Sequence, residues 1–262
     1  MPSRGFITAA SGEEYVRMAY ALALSIKATQ KDNTGLTVIV DDLSHVLPHY
    51  HAVFENIVVV GDEHHSSSSM EPRSKFYDLS PYDSTICLDA DMVLLSDHSE
   101  LWAQLERQEI TWALAYTFAD EKITNRAYRL DFDAANLPDA YSAFFFFKKG
   151  QVASCFFDTV KDIFENWKEW RFKFMKPPMC FKRKISTDVA FAIAAKAQNI
   201  VPAFYPKFVH YKQLLQTPEN VKLPMYLAPG GSMFVGRYRQ HLPFHYYDKN
   251  LTEPLIEWLG GY

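Results

Sequence analysis

Two carboxylates spaced i and i+2, Asp89 and Asp91, interrupt the apolar run from Thr85 to Leu95 (Thr-Ile-Cys-Leu-Asp-Ala-Asp-Met-Val-Leu-Leu). Apolar runs of this length lie in the core of a sheet. Carboxylates there are costly unless something pairs with them. On an extended chain, residues i and i+2 emerge on the same side. Two like charges held that close call for a divalent cation between them. Hard oxygen ligands suit Mg2+ or Mn2+, with phosphate oxygens and water filling the remaining positions. The motif therefore reads as a holder of a metal-bound diphosphate at a strand end.

The rest of the chain must supply a scaffold for that strand. Apolar stretches at 5–10, 36–40, 56–60, 111–116 and 143–148 read as further strands. Helical periodicity is expected over 15–29, 46–54, 75–79, 100–106 and 151–171. A last helix begins at Asp188, with Ser186 or Thr187 as its cap. Strands alternating with helices predict an α/β fold with an open, mainly parallel sheet. Ligands in such sheets gather at the carboxyl ends of strands, where Asp89 and Asp91 would sit. Residues 61–72 hold His64, His65 and four consecutive serines, and read as a solvated loop.

The chain has 262 residues, 48% of them hydrophobic, which suits one domain with a sizeable core. We expect a single domain over 1–262. Its diphosphate-binding half is 1–120, and 121–262 forms a second half that ends in a lid. A net charge of −4 argues against a protein coated in positive charge but leaves room for one basic patch. Three scattered cysteines, Cys87, Cys155 and Cys180, predict free, mostly buried thiols and a reducing, cytoplasmic setting. No apolar run reaches membrane-spanning length, so no membrane is expected as a partner.

On these residues the chain resembles retaining glycosyltransferases of the glycogenin-like class, which have the GT-A fold. The resemblance runs over most of 5–215. It implies a UDP-sugar donor, a Mn2+ or Mg2+ cofactor and transfer with retention. Tyr15, followed by Ala19, Leu22 and Ser25, is similar to the helix that sets a tyrosine against the donor's uracil. Ile7, Thr8 and Ala9 would line the same base pocket. Lys75 resembles the basic residue ahead of the metal motif that contacts the donor. Asp89 and Asp91 match the metal ligands, with Ala90 between them against the nucleotide. Asp188 resembles the aspartate beside the sugar, and Val189 stands where the class has glutamine, so a pentose as well as a hexose stays open. Val209-His210-Tyr211-Lys212 looks like the late segment that gives a histidine to the metal and a lysine to the diphosphate.

The acceptor is read from a different pattern. Lys168, Arg171, Lys173, Lys176, Lys182, Arg183 and Lys184 face one acid, Glu169, with Trp167, Trp170, Phe172, Phe174 and Phe181 interleaved. Arg237 and Arg239 lie in a second such stretch. Basic and aromatic residues mixed this way suit phosphate contacts and base stacking. The compact size and the two ends also resemble bacteriophage glycosyltransferases, some of which modify hydroxymethylated pyrimidines in DNA. A glycan or protein acceptor with the same donor site remains open. So does a non-catalytic binding module of this fold. A nucleotidyltransferase would need a Gly-rich phosphate loop after the first strand, where only Ser11-Gly12 stands.

Overall fold

A computed structural model describes residues 3–32, 34–60, 71–123, 129–175, 177, 185–211, 223–228 and 232–261. The expected 61–72 loop falls largely outside them, as do Lys182, Arg183, Lys184 and Lys212. The chain opens with β1 (Arg4–Ala10), α1 (Glu13–Thr29), β2 (Leu36–Val40) and β3 (Asn56–Val59). A 3-10 turn (Glu71–Lys75) leads into α2 (Phe76–Leu79), then β4 (Ser84–Leu88) and β5 (Met92–Val93). Next come α3 (Ser99–Leu105), β6 (Ile110–Trp112), β7 (Leu114–Tyr116), α4 (Leu130–Ala134) and β8 (Phe144–Lys148). Helices α5 (Gln151–Glu165), α6 (Trp167–Phe174) and α7 (Thr187–Ala197) follow. The last part holds β9 (Lys207–His210), β10 (Met225–Ala228), β11 (Ser232–Val235), β12 (Tyr238–Gln240), β13 (Phe244–His245) and α8 (Thr252–Trp258).

The main sheet has the order β3-β2-β1-β4-β8-β6. Its first four strands are parallel, and β8 runs antiparallel between β4 and β6. The chain builds outward from β1 through β2 to β3, then returns to place β4 on the other side of β1. That reversal opens a crevice at the carboxyl ends of β1 and β4, where open α/β sheets bind ligands. Two cores cover the two faces. In β8, Phe144 and Phe146 point into the core that holds α1, and Phe145 and Phe147 into the core that holds α5 and α7. Period-2 alternation thus lets four consecutive phenylalanines serve both layers.

A second sheet, β5-β13-β9-β7, sits beside the crevice, and β10-β11-β12 form an antiparallel meander. Two expected elements are divided. The 111–116 strand breaks at Ala113, whose N–H bonds Phe144 O at 3.0 Å, while Leu114 N–H bonds Pro206 O at 2.8 Å. The chain changes sheets there, which a continuous apolar run cannot reveal. The 151–171 helix breaks at Asn166, where φ is −113° and ψ 34°. The expected buried thiol at Cys87 is buried, but Cys155 is exposed. Among the described residues no helix is long and apolar enough to cross a membrane.

Candidate active site

Backbone pairing sets the acidic motif at the crevice. Asp89 follows directly on β4, and its N–H bonds Ala143 O at 3.0 Å. Met92 N–H bonds Asp89 O at 3.1 Å, which folds the motif into a tight turn and starts β5. β13 then pairs antiparallel with β5, with His245 opposite Met92. Tyr246 N–H adds a bond to Asp91 O at 3.1 Å. The result brings the His245 imidazole to the two carboxylates. Its Nε2 lies 2.9 Å from Asp91 Oδ1 and 3.8 Å from Asp89 Oδ2. One ligand atom from each of Asp89, Asp91 and His245 lies within 4.8 Å of the others. Two carboxylate oxygens and one imidazole nitrogen form a donor set that fits Mn2+ or Mg2+.

The electrostatics of the cluster are those of buried charges held by mutual pairing. Burial pushes the Asp89 carboxyl up, against the pull of Arg73 and His245. Burial also acts on Asp91, but the charge and hydrogen bond of His245 outweigh it and hold Asp91 below the usual carboxylate range. Burial opposes charge on His245, yet Asp91 and then Asp89 raise it above an ordinary histidine. Arg73 completes the cluster, with Nη2 2.7 Å from Asp89 Oδ1.

A third carboxylate stands close by. Asp188 lies in the first turn of α7, whose cap Ser186 accepts from Val189 N–H at 3.3 Å. Asp188 Oδ1 accepts from Ser142 N–H at 2.8 Å and from Ser142 Oγ at 2.7 Å, and Oδ2 from Arg129 Nη1 at 2.9 Å. Arg73 Nη1 is 3.5 Å from the same Ser142 Oγ. The charge of Asp188 is also felt at Asp89. Asp89, Asp91 and Asp188 are therefore brought into one polar network.

On the β1 side the turn into α1 depends on Gly12, whose φ of 81° lies where a Cβ is strained. Its N–H bonds Asp41 Oδ1 at 3.0 Å, tying the turn to the end of β2. Thr8 is fully buried and its hydroxyl meets no partner among the described residues. Ala9 packs with the α5 and α7 core, and Ala90 is buried with the α1 core. Tyr15 is 42% exposed at the start of α1. Lys249 bonds Glu14 Oε2 at 2.5 Å and sits 4.5 Å from the Tyr15 ring centroid.

Several residues named from sequence lie elsewhere. His210 is register partner to His245 on the neighbouring parallel strand β9, with ring centroids 5.7 Å apart. It bonds Tyr247 Oη at 2.6 Å and is outside the metal-sized cluster. The basic residue on Asp89 is Arg73, two positions before Lys75. His245 and Lys249 lie in the same C-terminal basic-aromatic stretch as Arg237 and Arg239. The signal that was available is a histidine closing a short aromatic strand with a lysine four residues on. Lys173 lies over the Trp170 and Phe174 rings at 5.3 and 5.5 Å. Arg237 and Arg239 line a different cleft of about 260 Å³ with Asp120, Gln240 and His241.

No family model and no curated protein matches the chain. Solved structures do. The galactosyltransferase LgtC, determined with donor and acceptor sugar analogues, superposes with a TM-score of 0.56 at 13% identity, over 98% of this chain and 95% of LgtC. Mouse xyloside xylosyltransferase 1 gives 0.52 at 10% identity, over 93% and 97% of the two chains. The bifunctional glycosyltransferase WbbM gives 0.53 at 14% identity over 98% of this chain, which spans 50% of WbbM. At such identities the likeness speaks for architecture, and the chain has the α/β GT-A fold found in these glycosyltransferases.

Proposed function

We propose that the protein is a metal-dependent glycosyltransferase that moves a sugar from a UDP-sugar to an acceptor hydroxyl with retention. The observation that carries this reading is the convergence of Asp89, Asp91 and His245 on one point at the β1/β4 crevice, with Asp188 in the same network. A divalent cation held by these three side chains would stabilise the charge that grows on a departing diphosphate. Tyr15 offers a ring for the uracil, and Thr8 and Ala9 would line the base pocket from the end of β1. Lys75, Lys212 and Lys249 are the candidate cations for the phosphates. Asp188 orients the sugar or stabilises the positive charge developing at its anomeric carbon. The acceptor hydroxyl attacks the face that UDP leaves and gives its proton to the leaving phosphate oxygen, so no separate enzymic base is needed.

A second reading concerns the acceptor. On α6, Lys173 covers two stacked rings and Arg171 lies 5.3 Å from the Phe172 ring. Cations over aromatics favour a polyanionic acceptor with bases to stack, such as hydroxymethylated DNA, reached through Lys173, Lys182, Arg183, Lys184, Arg237 and Arg239. A glycan or protein acceptor uses the same donor site. The test is a panel of UDP-sugars assayed for UDP release with Mn2+, Mg2+ or chelator, with and without hydroxymethylated DNA or oligosaccharides. Metal-dependent release from one donor is expected, accelerated by one acceptor class. Absence of release from every donor would point instead to a non-catalytic module of this fold.

A further inference from the structure

Asp188 is held more firmly than an exposed first-turn aspartate needs to be. Three donors among the described residues converge on its carboxylate: Ser142 N–H, Ser142 Oγ and Arg129 Nη1. Arg129 is 2% exposed. Its guanidinium lies 3.6 Å from the Phe132 ring centroid and 4.0 Å from that of Tyr141. It also donates to Ala140 O at 2.8 Å and pairs with Asp139 at 3.4 Å. A planar, always-charged fork clamped between two rings has little freedom to move. The next residues continue the arrangement. Ser142 fixes Asp188, while its neighbour Ala143 accepts the N–H of Asp89. One dipeptide before β8 thus sets the distance between Asp188 and the metal motif.

We infer that Arg129 and Ser142 are positioning residues that hold Asp188 in a single rotamer at a fixed distance from Asp89. The inference rests on the glycosyltransferase reading for its consequence, but not for its geometry. Asp188 acts only if its carboxylate meets the sugar at the right place, and displacement by about 1 Å costs on the order of 100-fold in rate. Removing either clamp deletes no bond made by the side chains of Asp89, Asp91 and His245 themselves, although Ser142→Ala also removes the 3.5 Å contact to Arg73.

The test uses the full chain with Arg129→Gln, Arg129→Lys and Ser142→Ala. Crystal structures give the Asp188 rotamer whether or not turnover is seen. Turnover is followed with whichever of UDP-glucose, UDP-galactose and UDP-xylose the wild type cleaves fastest. We expect a displaced Asp188 in Arg129→Gln and a fall in kcat of about 10- to 100-fold for Arg129→Gln and Ser142→Ala. The donor KM and Mn2+ affinity should stay within about threefold, a split that loss of packing alone would not give. Arg129→Lys should recover part of kcat. Asp188 unmoved in Arg129→Gln, or kcat within twofold of wild type in Ser142→Ala, would overturn the inference. If Arg129→Gln does not fold, Ser142→Ala decides through both its rotamer and its kcat. A wild type that cleaves no donor would defeat the functional reading while the rotamer comparison still judges the clamp.

Discussion

The imidazole that faces Asp89 and Asp91 belongs to His245, and its register partner His210 is one strand away. Two histidines that each close a short strand could both be read from sequence as metal ligands. Only strand order decides between them, and strand order is a long-range property. Replacing His245 by Ala should weaken Mn2+ binding by about 10- to 100-fold, whereas His210→Ala should leave it within a few-fold, as measured by calorimetric titration. The acidic pair itself was legible because carboxylates inside an apolar run demand a partner. Arg73 was not, because no local rule distinguishes it from Lys75 before the 3-10 turn that carries both is seen. A different histidine gives a pH test. Burial pushes His98 down to about 4, with Asp97 pulling the other way. The unfolded chain binds its proton near 6.5, so between these values the unfolded state holds more protons than the folded one. Stability should therefore fall as pH drops from about 6.5 to 4, by about 3 kcal/mol in all. Urea unfolding of His98→Gln should lose that part of the pH dependence.

Secondary structure was legible where periodicity was strong. β4 and β8 are buried throughout their apolar residues, and α5 buries one face through Ala153, Phe156, Phe157, Val160 and Ile163. Element ends and partners were not. The break at Ala113 sends β6 to one sheet and β7 to another, and the short β5 and β13 have too few residues for any period. Those short strands nonetheless deliver His245, because pairing with β5 and β9 leaves β13 a single register. Packing of the main layer can be tested at Phe145. Its ring lies 4.7 Å from Phe191 and 5.3 Å from Phe156. Phe145→Ala should cost about 3–5 kcal/mol in denaturant unfolding. Gly12→Ala should cost about 1 kcal/mol or more, since the turn keeps φ at 81° to bond Asp41.

At the scale of the whole molecule, charge is unevenly spread. Residues 168–184 carry seven cations and one acid, a net of +6, in a chain of net −4, so the remainder carries −10. That asymmetry is a sequence property and was visible at once. Its use depends on an acceptor, which no local feature specifies. If DNA is the acceptor, replacing Lys182, Arg183 and Lys184 together with Gln should weaken retention on DNA. It should also flatten the slope of log affinity against log salt by about 2–3. An unchanged slope would remove DNA from consideration along this segment. The α/β class was legible because strands and helices alternate, and the GT-A architecture followed from the resemblance carried by the acidic motif and the tyrosine after the first strand. The second sheet, whose β5–β13 partners lie more than 150 positions apart, was not.

The most direct measurement is the manganese anomalous signal in crystals soaked with Mn2+ and UDP. One ion is expected within about 2.0–2.4 Å of Asp89, Asp91 and His245, bridged to the diphosphate, with Arg73 moved off Asp89. An ion held by His210 instead, or nucleotide bound with Asp89 and Asp91 left without metal, would contradict that expectation.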